Sequence, residues 1–311
     1  MIADSRTRAP EGVSTSFRLQ RPGMALALLG CFFIFFLIVS GVILPFIPKI
    51  VNKPEAAIKI SVVIQDLLIF ICPAIGTAMI VTRLPARLLC VDRFPDLRPI
   101  LLSIATLICA IPAMNAVIHW NENWQLPASM AGLEQYFRQL EEAARATTSI
   151  LMNGASITSL IVSVLIVGVL AGFSEELLFR GAFQRILGQT GMNMHVVIWL
   201  VAFIFSAFHF QLFGLVPRIL LGAFFGYLLW WSKSLWLPII LHVCNNSIVV
   251  ISEYISNNHY GQATEAASAS GIDTFGADMT SGIEVTGVII SIILTAAGIY
   301  MLRRFFATQT R

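Results

Sequence analysis

Charge is what this sequence has least of: charged residues fill 12% of 311 positions, against about 25% in an average soluble domain. With 57% hydrophobic residues, the chain is too apolar for a soluble multidomain protein, and its apolar residues stand in uninterrupted runs. A run of about 20 is what a bilayer core asks of a helix. The formal net charge of +3 is small and its basic residues are dispersed, which argues against a nucleic-acid partner. Cysteine is scarce: Cys31, Cys72, Cys90, Cys109 and Cys244 form no CxxC pair and four lie inside apolar runs, so they read as small buried hydrophobes rather than a disulfide or zinc framework. No HExxH is present, which removes the usual sequence warrant for a zinc protease. No period of 20–50 residues repeats, and the two halves show none of the self-similarity expected of an inverted-repeat transporter.

What is present is a series of eight apolar spans, at 24–47, 60–81, 99–118, 156–179, 192–210, 215–231, 235–251 and 285–302. They predict an all-α, polytopic transmembrane helical bundle. The polar segment 1–22 precedes a run of about 25 apolar residues, too long for a signal-peptide core. Cytoplasmic loops accumulate Lys and Arg. With the N-terminus inside, alternate segments hold 14 basic residues inside and 6 outside. The expectation is an integral protein of a bacterial cytoplasmic membrane with both termini cytoplasmic. The chain then divides into the cytoplasmic segment 1–22 and N-terminal helices with an external amphipathic segment at 23–150. A core at 151–251, an external flexible loop at 252–284 and a last helix with a cytoplasmic tail at 285–311 follow. Within 129–146, Leu133, Tyr136, Phe137 and Leu140 share a face, and Glu134–Arg138 and Glu141–Arg145 are spaced four apart for ion pairs. A helix lying on the outer surface and an ordinary solvated loop helix both fit that pattern.

Ionisable residues inside spans cost roughly 2.5–3.5 kcal/mol each on insertion scales, so each is a candidate functional residue. Most fall in three spans. The fourth carries Glu175, Glu176 and Arg180, the fifth ends at His209, and the seventh contains His242 and Asn246. Four-residue spacing stacks Glu176 on Arg180 and His242 on Asn246, while Glu175 is turned about 100° from its neighbour. Counting helical rise from the connections puts all of them at compatible depth, so one site is permitted. Asp66, beside Gln65 in the second span, is a further buried acid with no evident partner in the pattern.

Glu175-Glu176-x-x-x-Arg180, Phe205-x-x-x-His209 and His242-x-x-x-Asn246, in order on successive apolar helices, resemble the three signature motifs of the CAAX-protease and bacteriocin-processing (CPBP) family, also called abortive-infection proteins. The similarity covers about 156–250, roughly a third of the chain. It implies an intramembrane endopeptidase acting on a membrane peptide or protein in the lipid bilayer, and leaves the oligomeric state open. On that reading Glu175 is the general base for water and His209 holds the water. His242 and Asn246 supply donors to the oxyanion, with Glu176 and Arg180 fixing the helix. A metal version uses His209, His242 and a glutamate as ligands of a divalent ion, zinc by preference, leaving one position for water. Two other classes stay open. A proton-coupled transporter also buries Glu, His and Arg, and a membrane immunity or scaffold protein could keep the motif residues for structure alone.

Overall fold

A computed structural model of the chain describes residues 18–152, 156–256 and 282–309. Most of the expected loop at 252–284, and most of the segment 1–22, lie outside the described residues. The described chain is helical throughout and multi-pass, an integral membrane architecture. Its helices are α1 (Pro22–Ile50), α2 (Pro54–Val81), α3 (Leu97–Glu122), α4 (Ala131–Met152), α5 (Ile157–Thr190), α6 (Met194–Ala207), α7 (Leu212–Ser232), α8 (Trp236–Ile255) and α9 (Gly282–Gln309). Seven of these are long and apolar enough to cross a bilayer.

The eighth expected span is the short one. α6 has 14 residues, about 21 Å at 1.5 Å per residue, less than the hydrocarbon thickness of about 30 Å. It stops because the chain reverses: the His209 and Phe210 amides bond back to Ser206 and Ala207, and Phe210 adopts a left-handed φ of 53°. Such irregular backbone at membrane depth survives only where protein or a cavity covers it. Here it carries His209 out of the helix and toward α5 and α8.

Local chemistry starts and stops the helices. Proline occupies the first turn of α1 and α2, where its missing N–H is no loss. The Ser156 hydroxyl accepts from Ser159 N (3.1 Å) to cap α5, and the Asn193 side chain accepts from His195 N (2.9 Å) to cap α6. Lys233, at φ 56°, closes α7 in a left-handed turn.

Packing depends on small residues, as expected where lipid offers no hydrophobic drive between helices. α3 and α9 form one close pair. Gly298 sits against Thr106, and the Ser291 hydroxyl donates to Cys109 O (2.5 Å) and accepts from Ala113 N (3.1 Å). α5 lies at the centre, against α1, α2, α6, α7 and α8. The connection between α2 and α3 folds in under it, burying Leu88, Leu89 and Cys90. Cys90 O accepts from Leu235 N (2.8 Å), Arg93 O from the Ser234 hydroxyl (2.6 Å) and Val91 O from Trp236 Nε1 (3.0 Å). These bonds tie that connection to the α7–α8 turn, so the foot of the bundle is fixed. Outward faces such as Ile34, Phe35 and Ile38 of α1 stay exposed, as lipid-facing positions should.

The amphipathic helix forms, as α4, and the Glu134–Arg138 pair closes at 2.8 Å. The Glu141–Arg145 pair does not. Glu141 is buried and its carboxylate accepts from Phe213 N (3.3 Å), while Arg145 reaches Glu122 instead (3.0 Å). A buried acceptor beside an unpaired amide is worth more than an exposed ion pair. Arg138 also stacks on the Phe213 ring, 4.0 Å from its centroid. α4 is therefore docked on the turn between α6 and α7 rather than solvated on all sides.

Candidate active site

α5 is not a uniform α-helix. Two stretches, Val164–Leu170 and Leu177–Gln184, are widened to π-helical geometry, and the α-helical stretch Ala171–Glu176 between them carries both glutamates. A third π stretch, Asp66–Ile71 of α2, packs against that same part of α5. Such wide turns mark functional sites more often than chance because they re-aim side chains and free backbone groups.

The centre of the site is a continuous polar chain through the core. Arg180 donates through Nη1 to Glu176 Oε1 (2.8 Å), and His242 donates through Nδ1 to the same oxygen (2.9 Å). His242 Nε2 then faces Glu175 Oε2 at 3.7 Å. Arg180 and Glu176 are fully buried, and the Glu175 side chain is 15% exposed. An ionised group buried this completely must be compensated on several sides. The Arg180 guanidinium has a second acceptor in Gly222 O (3.0 Å) and lies over the rings of Phe205 (4.4 Å) and Phe225 (5.8 Å). The same two rings hold the imidazole of His242, with centroids 6.0 and 5.2 Å away.

The close approach of α7 to α5 requires glycine. A Cβ at Gly222 would stand 2.9 Å from Arg180 Nη2, and one at Gly226 2.8 Å from Gln184 Oε1. Gln184 repeats the Arg180 contact one turn on, donating to Gly226 O (3.0 Å). On the other side, a Cβ at Gly172 would meet Val243 N of α8 at 3.1 Å, and one at Gly168 would meet Ser247 Oγ at 2.5 Å. Both spacings, Gly168-x-x-x-Gly172 and Gly222-x-x-x-Gly226, are readable small-residue signals. Sequence reasoning passed over them, and over Gln184, Phe205 and Phe225 as the supports of the charged pair.

His209 stands on the far side of Phe205, with ring centroids 5.2 Å apart, and its Nδ1 donates to Phe205 O (3.0 Å). The bond leaves Nε2 as the free acceptor. Asn246 is one turn above His242 and donates one N–H to Val167 O in the π-widened stretch (3.1 Å), while its Oδ1 accepts from Asn245 (3.2 Å). Its second N–H has no protein partner among the described residues. Asp66 is 5% exposed, its Oδ2 has no hydrogen-bond partner among the described residues, and it lies close enough to Glu175 for the two carboxylates to interact. Glu175, Glu176, Arg180 and His242 thus come into direct succession, with His209 and Asn246 flanking them.

Both histidines have the environment of good metal ligands, with one ring nitrogen held by an acceptor and the other free. The number of donors is what falls short. Among the described residues no three His, Cys, Asp or Glu side chains gather closely enough to hold an ion. The arrangement as it stands does not fit a three-ligand zinc centre.

Residues 157–248 match the family model described as Type II CAAX prenyl endopeptidase Rce1-like. The match spans the residues from the start of α5 to the middle of α8, and every residue of the polar chain lies within it. No curated protein and no solved structure matches the chain.

Proposed function

We propose that this chain, Rce1-like over residues 157–248, is an intramembrane endopeptidase in which Glu175 activates a water molecule held against His242. The observation that carries the reading is the 3.7 Å gap between Glu175 Oε2 and His242 Nε2. It is too long for a direct hydrogen bond and short enough for one water to touch both atoms. Because Glu176 accepts the Nδ1 proton, neutral His242 presents a lone pair at Nε2. A water between the two groups therefore donates one hydrogen to the imidazole and the other to the carboxylate, and its own lone pair points away from both.

Attack of that lone pair on a peptide carbonyl forms the new C–O bond as Glu175 takes the proton. The carbonyl oxygen becomes an oxyanion, for which the second Asn246 N–H is a donor. The C–N bond then breaks and Glu175 returns the proton to the leaving amine, so atoms and charge balance without a further reactant. His209, held by its own backbone bond, directs Nε2 to the incoming water. Glu176 and Arg180 fix the tautomer of His242 and touch no reacting atom. No step is routed through a metal, since the donor set falls short of one. The substrate class that fits is a membrane-associated peptide, and the family description makes a prenylated C-terminal peptide the first probe.

The test is hydrolysis of a farnesylated CAAX peptide by purified chain in lipid nanodiscs, with metal content measured on the same sample. Wild-type protein is expected to cleave it, and Glu175→Gln to lose about 10²–10⁴-fold in rate. Cleavage at the wild-type rate by Glu175→Gln removes the proposed base. Activity that tracks bound metal, lost on chelation and restored by zinc, replaces this mechanism with the metal version.

A further inference from the structure

On the face of α7 turned away from the catalytic chain, the bundle is open. α3 and α9, joined to each other, touch α7 through Asn121, which bonds Leu212 O and Val216 N, and through an apolar cluster of Leu107, Leu302 and Phe306 with Phe225 and Leu228; beside these contacts they leave a groove of about 1230 Å³. That exceeds the roughly 300–1,000 Å³ of an ordinary small-molecule site. Its walls are apolar, with Leu107 and Val117 of α3, Phe224 of α7 and Ile292 and Ile299 of α9. Alternation along α7 separates it from the site: Gly222 and Phe225 face Arg180 and His242, whereas Phe224 and Tyr227 line the groove.

One end of the groove is different. Lys233, in the turn after α7, and Arg303, near the end of α9, both line it there, and no Asp or Glu is among its lining residues. Neither cationic side chain has an ion pair or hydrogen bond to another described residue. Both side chains are exposed, and Arg185 lies close enough to Lys233 to add to the positive field at this end. Trp230, Trp231 and Tyr300 line the same end, the residues that settle at a membrane's headgroup level. His195 Nδ1 and the Tyr227 hydroxyl, 2.7 Å apart, add a polar pair. From Val288 to Arg303 on α9 the groove runs about 22 Å, more than the roughly 15 Å that an acyl chain travels to the bilayer midplane.

We propose that this groove is a binding site for one anionic phospholipid, its headgroup between Lys233 and Arg303 and its acyl chains along α3, α7 and α9. Basic pockets between transmembrane helices at a membrane surface hold anionic headgroups by this chemistry. The site is separate from the catalytic chain and does not depend on the peptidase reading. Its occupancy adds to the contacts that already join the α3–α9 pair to α7, the helix whose other face supports Arg180, so the lipid braces the wall of the site.

Native mass spectrometry of the full chain, released from detergent containing equal amounts of phosphatidylglycerol and phosphatidylcholine with identical acyl chains, tests this. Two cations at a membrane surface account for about a 30-fold preference. Wild-type protein is expected to retain phosphatidylglycerol by about that ratio, and the double variant K233Q/R303Q to retain the two lipids equally. Ala296→Trp, which fills the groove from α9, is expected to reduce retention of both. Should the double variant fail to fold, wild-type protein at rising salt replaces it, and the preference is expected to fall as ions screen the cations. Equal retention of the two lipids by wild type, or an unchanged preference in K233Q/R303Q or at high salt, overturns the proposal.

Discussion

Replacing Glu176 by Gln is the sharpest physical test of the polar chain, because one oxygen holds two donors. Glu176 Oε1 accepts from Arg180 at 2.8 Å and from His242 at 2.9 Å, and the Glu176 and Arg180 side chains are fully buried. The amide keeps the shape and removes the charge. Arg180 would retain Gly222 O and the two aromatic rings but no counter-ion, and breaking a buried pair from one side costs about 3–5 kcal/mol. Glu175→Gln alters a partly exposed group whose facing imidazole nitrogen is 3.7 Å away, beyond a direct hydrogen bond, and is expected to cost under about 1 kcal/mol. Both variants should abolish hydrolysis, the first by releasing the His242 tautomer and the second by removing the base. Unfolding in mixed micelles, titrated with a denaturing detergent, measures the difference. The double variant Glu176→Gln/Arg180→Met, with both charges gone, should regain part of the loss. Equal stability losses for Glu175→Gln and Glu176→Gln, or no recovery in the double variant, would mean that Glu176 is not the buried counter-ion of Arg180.

Further outcomes follow from other contacts. Gly222→Ala and Gly226→Ala force a Cβ to within 2.9 Å of Arg180 and 2.8 Å of Gln184; each should cost about 1–3 kcal/mol in the same micelle titration. Gly30→Ala, with nothing within 4 Å, should cost nothing measurable. The Leu126 amide and then Arg138 hold the Glu134 carboxylate below its ordinary value of 4.5. The ionised form is thus favoured in the folded state. The stability difference between wild type and Glu134→Gln should be present above pH about 4.5 and vanish as pH falls through the depressed value. A pH series of unfolding curves checks that sign. Membrane orientation is tested by single cysteines: with both termini cytoplasmic, Lys53→Cys should be labelled from outside and Arg87→Cys from inside. The reverse pattern would invert the topology.

Much of this molecule was legible in its sequence, for reasons that particular residues make clear. Lipid demands long apolar helices, so the run from 156 onward announced α5, and the Glu176–Arg180 pair followed from helical spacing alone. Spacing could not say that the two adjacent glutamates would converge on one imidazole. That depends on where α8 crosses α5, which Gly168 and Gly172 permit. α6 was expected as a full span and is short because the chain turns back at His209 and Phe210, a reversal that the apolar run does not announce. Glu141 was expected on a solvated face with Arg145, and found a buried amide. Asp66 stood out as an unexplained acid, but only the fold places it beside Glu175.

Mapping peptide termini in membranes from cells that express either the wild-type chain or Glu175→Gln at equal levels tests the central claim most directly. A set of new termini in membrane-associated peptides is expected with wild type and is expected to be absent with Glu175→Gln. Identical sets of termini from the two proteins, both folded and both in the membrane, would contradict it.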